Sequence, residues 1–132
     1  MTVEAQLVEL LTDDTTVATA IDDRIYPVAL YKQATLPALT YQRVRGTYQY
    51  ALDGSVAWSS VTVALTAWAD NYPDARELAE AVRAVLNPYT AEAAGEIEVG
   101  GVEDGADVWI ESMNLFGCVV LATVEWGGSD GD

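Results

Sequence analysis

Carboxylates are the residues of this chain that could most readily do chemistry. Asp and Glu make up 21 of its 132 residues, and acids are adjacent at positions 13–14, 22–23 and 103–104, with Asp107 close by. Two carboxylates can serve glycoside hydrolysis or the oxygen ligation of Ca²⁺. None of these spacings matches a known cation-binding loop, and acidic pairs arise readily by chance in so acidic a chain. We interpret them as solvated surface and expect no catalytic residue, no metal site and no cofactor.

The rest of the composition removes most other catalytic arrangements. The sequence has no histidine, which excludes Ser-His-Asp and Cys-His sites and removes the commonest general base. Cys118, the single cysteine, lies in the apolar run CVVLATVEW, which indicates a buried, inert thiol and a reducing compartment. The glycines of VGGVEDG precede no basic residue that could hold a phosphate, so we interpret them as a turn. The sequence therefore predicts a protein that is not an enzyme.

Length and charge limit the remaining classes of protein. We predict one domain over residues 1–126 and a disordered tail, GGSDGD, over residues 127–132. No apolar run is long enough to cross a membrane, and the N-terminus lacks the features of a signal peptide. The net charge of −15 argues against a protein that reads DNA sequence, because it repels phosphates. It is compatible with the wall of a pore along which DNA slides.

Periodicity predicts an α+β fold, a mostly antiparallel sheet covered on one face by helices. A short extended segment at Arg24–Val28 contains Pro27, which places it at a sheet edge. An Asp-Gly turn at residues 52–55 predicts a hairpin. We expect Leu65, Leu78 and Val82 in the core. The predicted helices are 2–11, 13–21 (capped by Asp13 or Asp14) and 71–88, and the other predicted strands are 39–45, 58–69, 96–99, 108–113 and 118–126.

A positive strip interrupts this acidic chain. Residues 24–45 hold four of the six cations and no acid, whereas residues 84–132 hold ten acids and no cation. Strand alternation predicts that Tyr41, Arg43 and Arg45 project from one face as a row, a plausible anchor for carboxylates. Exposed aromatics nearby could form a protein interface, pack on the sheet or stack on bases. We predict a contact between subunits or with a tube, while the two charged regions could also meet within one subunit. The predicted interface residues are Arg24, Lys32, Tyr41, Arg43, Arg45, Tyr48 and Tyr50.

Four segments follow one another in a fixed order and spacing. They are DRIYPVAL (23–30), LPALTYQRVRG (36–46), LDGS (52–55) and VTVALTAWADNYPDARELAEAVRAVL (61–86). This ordered set resembles the phage tail-completion family, the tail terminator or tail-to-head joining proteins of long-tailed phages, over about residues 1–87. The last strand departs from the family pattern, since CVVLATVEWGG keeps Glu125-Trp126 without the basic residue that relatives often carry.

The resemblance implies a structural virion protein located in the tail or neck and assembled in the host cytoplasm. Such proteins form a ring, commonly a hexamer, that caps the head-proximal end of the tail tube and joins it to the head connector. The implied partners are further copies of the chain, the tail tube protein and the head-tail connector protein, with DNA as passing cargo and no membrane. Two alternatives remain open, another neck or head-completion connector protein and an acidic regulatory domain that mimics DNA. Adaptation to a saline habitat would also explain the acidity.

Overall fold

The computed structural model describes residues 3–22, 24–30, 35–86 and 98–127. Over these residues the chain forms three helices, six strands and one 3₁₀ turn. The helices are α1 (Val3–Asp13), α2 (Thr15–Ile21) and α3 (Tyr72–Leu86), and the 3₁₀ turn is Glu111–Met113. The strands are β1 (Ile25–Pro27), β2 (Ala38–Tyr50), β3 (Val56–Ala69), β4 (Glu98–Asp104), β5 (Val108–Ile110) and β6 (Leu115–Gly127).

The strands form one sheet with the order β1-β2-β3-β6-β4, and β5 also pairs with β6. β1 runs parallel to β2, and every other described pair is antiparallel. The predicted α+β fold with a mostly antiparallel sheet is therefore confirmed. β1 lies at the edge of the sheet, where Pro27 predicted it, because an edge strand tolerates a residue that cannot donate to a ladder.

The core lies between the helices and one face of the sheet. Alternate residues of β3 and β6 are buried there, and the apolar stripe of α3 packs against them, so Leu65, Leu78 and Val82 are buried as predicted. The period of two along the strands and the helical spacing in α3 bring the apolar side chains to one layer. The core residues of the two central strands are Val61, Val63, Leu65, Ala67, Cys118, Val120, Ala122 and Val124.

Short polar side chains cap the N-termini of α2 and α3. The carboxylate of Asp14 accepts a hydrogen bond from the backbone N–H of Val17 at 3.1 Å, so Asp14 caps α2. The side chain of Asn71 accepts from the backbone N–H of Asp74 at 3.0 Å and plays the same part for α3. Of the two acids predicted to cap α2, the structure selects Asp14.

The β2–β3 hairpin is longer than its sequence pattern indicated. β2 continues to Tyr50, whereas the predicted strand ended at residue 45. The Asp-Gly turn is where it was expected, since the Asp53 carboxylate accepts from both the backbone N–H and the hydroxyl of Ser55, and Gly54 has φ +90°. A positive φ at this position favours glycine.

Other segments also differ in extent from the predicted elements. β4 continues to Asp104, whereas the predicted strand 96–99 ended five residues earlier, and β6 begins at Leu115 and not at residue 118. The predicted strand 108–113 is strand only at Val108–Ile110, and its second half is the 3₁₀ turn. β6 reaches Gly127, the first residue of the predicted disordered tail, and residues 128–132 lie outside the described residues. The disordered tail therefore stays a prediction.

The second face of the sheet carries small and lightly polar side chains. We call it the open face, defined on β3 by the even-numbered residues from Trp58 to Trp68, which alternate with the core residues. The indole N–H of Trp68 donates to the Thr40 hydroxyl at 2.9 Å, and the hydroxyls of Thr62 and Thr123 lie 3.3 Å apart. Contacts between neighbouring strands thus satisfy part of its polar surface.

Candidate assembly surface

A β-bulge in β2 separates the two arginines that the sequence placed in one row. Arg43 pairs with Val63 and Arg45 pairs with Thr62, although one residue, Val44, lies between the arginines and none lies between their partners. Because consecutive strand residues point to opposite faces, Arg43 lies on the helix-covered face and Arg45 on the open face. The predicted row is wrong, since the extra residue, Val44, reverses the alternation of the strand beyond it.

Arg43 forms an ion pair within its own subunit. Its guanidinium lies 2.5 Å from the carboxylate of Glu4 on α1, with a second nitrogen 3.0 Å from the same oxygen. A third nitrogen donates to the Tyr48 hydroxyl at 3.1 Å. Tyr48 lies over Gly46, where a Cβ atom would stand 2.7 Å from the tyrosine oxygen. These contacts fix α1 against β2, which is a structural part for Arg43.

Arg24 and Tyr41 also have contacts within the subunit. The Arg24 guanidinium donates to the carbonyl of Ala20, at the end of α2, and to that of Pro37, each at 3.0 Å. Tyr41 is partly buried and packs against the core. Lys32, the other cation of the strip, lies outside the described residues. The structure therefore does not bring the predicted interface residues together as one patch.

Arg45 differs from the other arginines that the structure describes. It is exposed, and no described residue forms a hydrogen bond or ion pair with it. Its neighbours on the hairpin are exposed as well, with Tyr48 36%, Val44 54% and Tyr50 67% accessible. A cation among exposed apolar side chains is the arrangement that protein interfaces favour.

The outer edge of β2 is covered only in its first half among the described residues. β1 pairs with Leu39–Tyr41, and the N–H of Val28 donates to the carbonyl of Tyr41 at 2.8 Å. Beyond Tyr41, no described strand lies on this outer side of β2, and residues 44–50 are all exposed. We call residues 42–50 the free edge. An unpaired strand edge is a template for another strand, and natural proteins cover or interrupt such edges unless they use them.

A second charged cluster lies at the start of α3. Arg76 binds the carboxylate of Asp107 at 2.6 Å, lies 3.7 Å from that of Asp104, and donates to the Tyr72 hydroxyl at 3.3 Å. The hydrogen bond to Tyr72 raises the pKa of Arg76 above its usual value. Arg76 of α3, and not the positive strip, thus pairs with the carboxylates of Asp104 and Asp107 in the acidic C-terminal region. Sequence reasoning missed this cluster, because nothing in the spacing of residues 72–107 indicates that these segments meet.

The described residues hold neither a cluster of three or more potential metal ligands nor a helix long and apolar enough to span a membrane. Burial raises the pKa of the Cys118 thiol, which is consistent with the inert thiol that the sequence predicts.

The fold and the family of the chain are found in phage-related particles. A chain of a structure described as "Virion of native gene transfer agent (GTA) particle" shares this fold, with a TM-score of 0.58 and 16% identity over 95% of this chain and 96% of that one. No curated protein matches the sequence. Residues 5–106 match the family described as "Tail completion protein gp17". The chain therefore belongs to this tail-completion family, whose members are structural proteins of the virion tail.

Proposed function

We propose that this protein forms a ring that caps the head-proximal end of a tail tube and joins the tail to the head connector. Membership of the tail-completion family over residues 5–106 carries the proposal. The fold shared with a chain of a gene transfer agent virion supports it, because a chain with this fold is thereby found in a virion particle. The proposed partners are further copies of the chain, the tail tube protein and the connector protein.

The surface of the molecule supports an assembly function. The described residues have a long strand edge that no described strand pairs with, and exposed aromatics at the hairpin. They contain no cluster of metal ligands. A homo-oligomeric ring needs two different patches on each copy, since each subunit contacts the next head to tail. The free edge of β2, which carries Arg45, and the acidic strand β4 on the other side of the sheet are candidates for two such patches. A hexamer is the stoichiometry that the family resemblance favours.

DNA is proposed to pass this protein without being bound by it. The net charge of −15 leaves few cations to displace counterions from phosphates, which is the main source of nonspecific affinity for DNA. The same charge keeps the alternative of a DNA mimic open. Competition for a DNA-binding partner would be the result that favours that alternative.

The test is to make the phage that encodes this chain without it, and to image the particles by electron microscopy. The proposal predicts tails of irregular length or tails detached from heads, and restoration of joined particles when the purified protein is added. Antibody labelling of complemented particles should mark the head-proximal end of the tail. Normal tails attached to heads in the absence of the protein would contradict the proposal.

A further inference from the structure

We infer that neighbouring copies join by adding β4 of one subunit to the free edge of β2 of the next, so that the sheet continues across the contact. This inference rests on the proposed ring and names the surfaces that would build it. β2 and β4 are the two outer long strands of the sheet, on opposite sides. Each is paired on its inner side, and on the outer side no described strand pairs with β4 or with β2 beyond Tyr41.

The strand directions suit a rotation. β2 is antiparallel to β3, β3 to β6, and β6 to β4, so β2 and β4 run in opposite directions within one subunit. Rotation about an axis parallel to the strands keeps these directions, and therefore brings β4 of one copy antiparallel to β2 of the next. Successive contacts of this kind are identical and close into a ring.

The two edges lie at the same level across the sheet. Following the pairings from strand to strand, Arg43 lies in one row with Val102, and Gly46 lies in another row with Val99. A rotation with no shift along its axis therefore places Val102 beside Arg43 and Val99 beside Gly46. β1 ends at the level of Tyr41, so it marks one end of this contact.

The backbone groups at these positions point outward on both edges. The Leu39 N–H donates to the carbonyl of Arg24, just before β1, and the Tyr41 carbonyl accepts from the N–H of Val28, just after it. The residues of β2 that point to β3 are therefore Thr40 and Gln42. Thr40 and Gln42 pair with even-numbered residues of β3, so the even-numbered residues of β3 point to β2. Arg43 and Gly46 pair with odd-numbered residues of β3, and their own N–H and C=O groups therefore point away from β3. The same alternation directs those of Val99 and Val102 away from β6. The Gly105 N–H donating to the Val119 carbonyl at 2.8 Å agrees with this alternation on β6.

Both edges carry a bulge, and the bulges match. The outward-pointing residues of β2, Arg43 and Gly46, are three positions apart, and those of β4, Val99 and Val102, are also three positions apart. A regular strand repeats its outward-pointing groups every two residues, so neither edge would stay in register with one. The two edges fit each other, and the bulges therefore restrict the choice of partner.

Charge complementarity favours the same pairing. The free edge, residues 42–50, carries Arg43 and Arg45 and no acid, and β4 carries three acids and no cation. In the register given above, Arg45 is opposite Gly101 and diagonal to Glu103, within the range at which cross-strand charges interact. Arg45, which has no described partner in its own subunit, gains a carboxylate from the next.

Disulfide trapping with Gln42→Cys and Glu103→Cys in the full-length protein tests the contact. The two positions lie in one row, are exposed, and would form a non-hydrogen-bonded pair, whose Cα atoms are about 4.5 Å apart in antiparallel sheets. Oxidation of the double variant should give a ladder of covalent oligomers that a reductant removes. A mixture of the two single variants should give covalent dimers and no larger species. Cys118 is buried, so it should add little background.

The matched control is Thr47→Cys with Glu103→Cys. Thr47 lies in the row of Glu125 on β6, and Glu103 lies in the row of Leu121, four residues earlier on the same strand. The two cysteines would therefore be offset by about 13 Å along the strands, which is too far for a disulfide. Rings without cross-links in the Gln42–Glu103 variant, or equal cross-linking in the control, would overturn this contact and leave the proposed ring standing. Absence of any oligomer in the unmodified protein and in its particles would overturn both.

Discussion

The two halves of β2 have different surroundings. Residues 38–41 are buried or partly buried, with β1 beside them and the core beneath Leu39 and Tyr41. Residues 44–50 are exposed, and no described strand covers their outer edge. One strand therefore contributes its first half to the stability of the subunit and leaves its second half available for assembly, with the bulge at Val44 close to the boundary between them.

The largest expected effect on stability is the difference between a Leu→Ala substitution in the buried half of β2 and one at the exposed hairpin turn. Leu39→Ala removes a fully buried side chain and should lower the free energy of unfolding by about 2–5 kcal/mol. Leu52→Ala, at the exposed hairpin turn, should change it by less than about 0.5 kcal/mol. Denaturant melts of both variants provide the measurement. Equal losses would show that the hairpin is as much a part of the folded core as the first half of β2.

Removal of one backbone N–H sharpens the distinction between folding and assembly. Gly46→Pro deletes an N–H that points away from β3, so the hairpin should persist while the strand contact between subunits weakens by roughly tenfold or more. Gly46→Ala is the matched control, since it also introduces a Cβ beside Tyr48 but keeps the N–H. Sedimentation of the two variants compares their assembly. Indistinguishable sedimentation would mean that this N–H makes no contact between subunits.

The two arginines should respond differently to charge reversal. Arg43→Glu breaks the ion pair with Glu4 and should cost about 1 kcal/mol of monomer stability, which Glu4→Arg in the same chain should partly restore. Arg45→Glu should leave the melt unchanged and weaken assembly, more so at low salt, where charges are least screened. Circular dichroism and sedimentation of each variant separate the two effects. A loss of stability in Arg45→Glu alone would contradict this assignment.

The smallest expected effect is on DNA. Duplex DNA should show negligible binding in a mobility assay even at low salt, and Arg45→Glu should not change that result. Tight binding by the unmodified protein would contradict the view that DNA is passing cargo.

Local sequence patterns predicted much of the fold. The alternation in β3, the apolar stripe of α3, the cap at Asp14 and the Asp-Gly turn depend on neighbouring residues, and each is found in the structure. The position of Pro27 also identified β1 as an edge strand. Features of this kind need no knowledge of distant contacts, which is why they can be inferred from the chain alone.

The candidate surface was less predictable because it depends on pairing between distant segments. The run Tyr41-Gln-Arg43-Val-Arg45 alternates regularly in sequence, so nothing in it reveals that Val44 has no place in the ladder with β3. The Arg43–Glu4 pair joins residues 39 positions apart and is equally hidden. The sequence indicated the positive strip, and the structure shows that Arg45 is the described member of it for which no partner occurs among the described residues.

Residue-resolved hydrogen exchange of free and assembled protein tests the central claim most directly, that the free edge of β2 is used in assembly. Amides that point to β3, such as that of Gln42, should exchange slowly in both states, and the outward amide of Gly46 should exchange quickly in the free subunit. In the assembled protein, the account predicts that Gly46 becomes protected together with Val99 and Val102. Unchanged exchange at these three residues on assembly would contradict it.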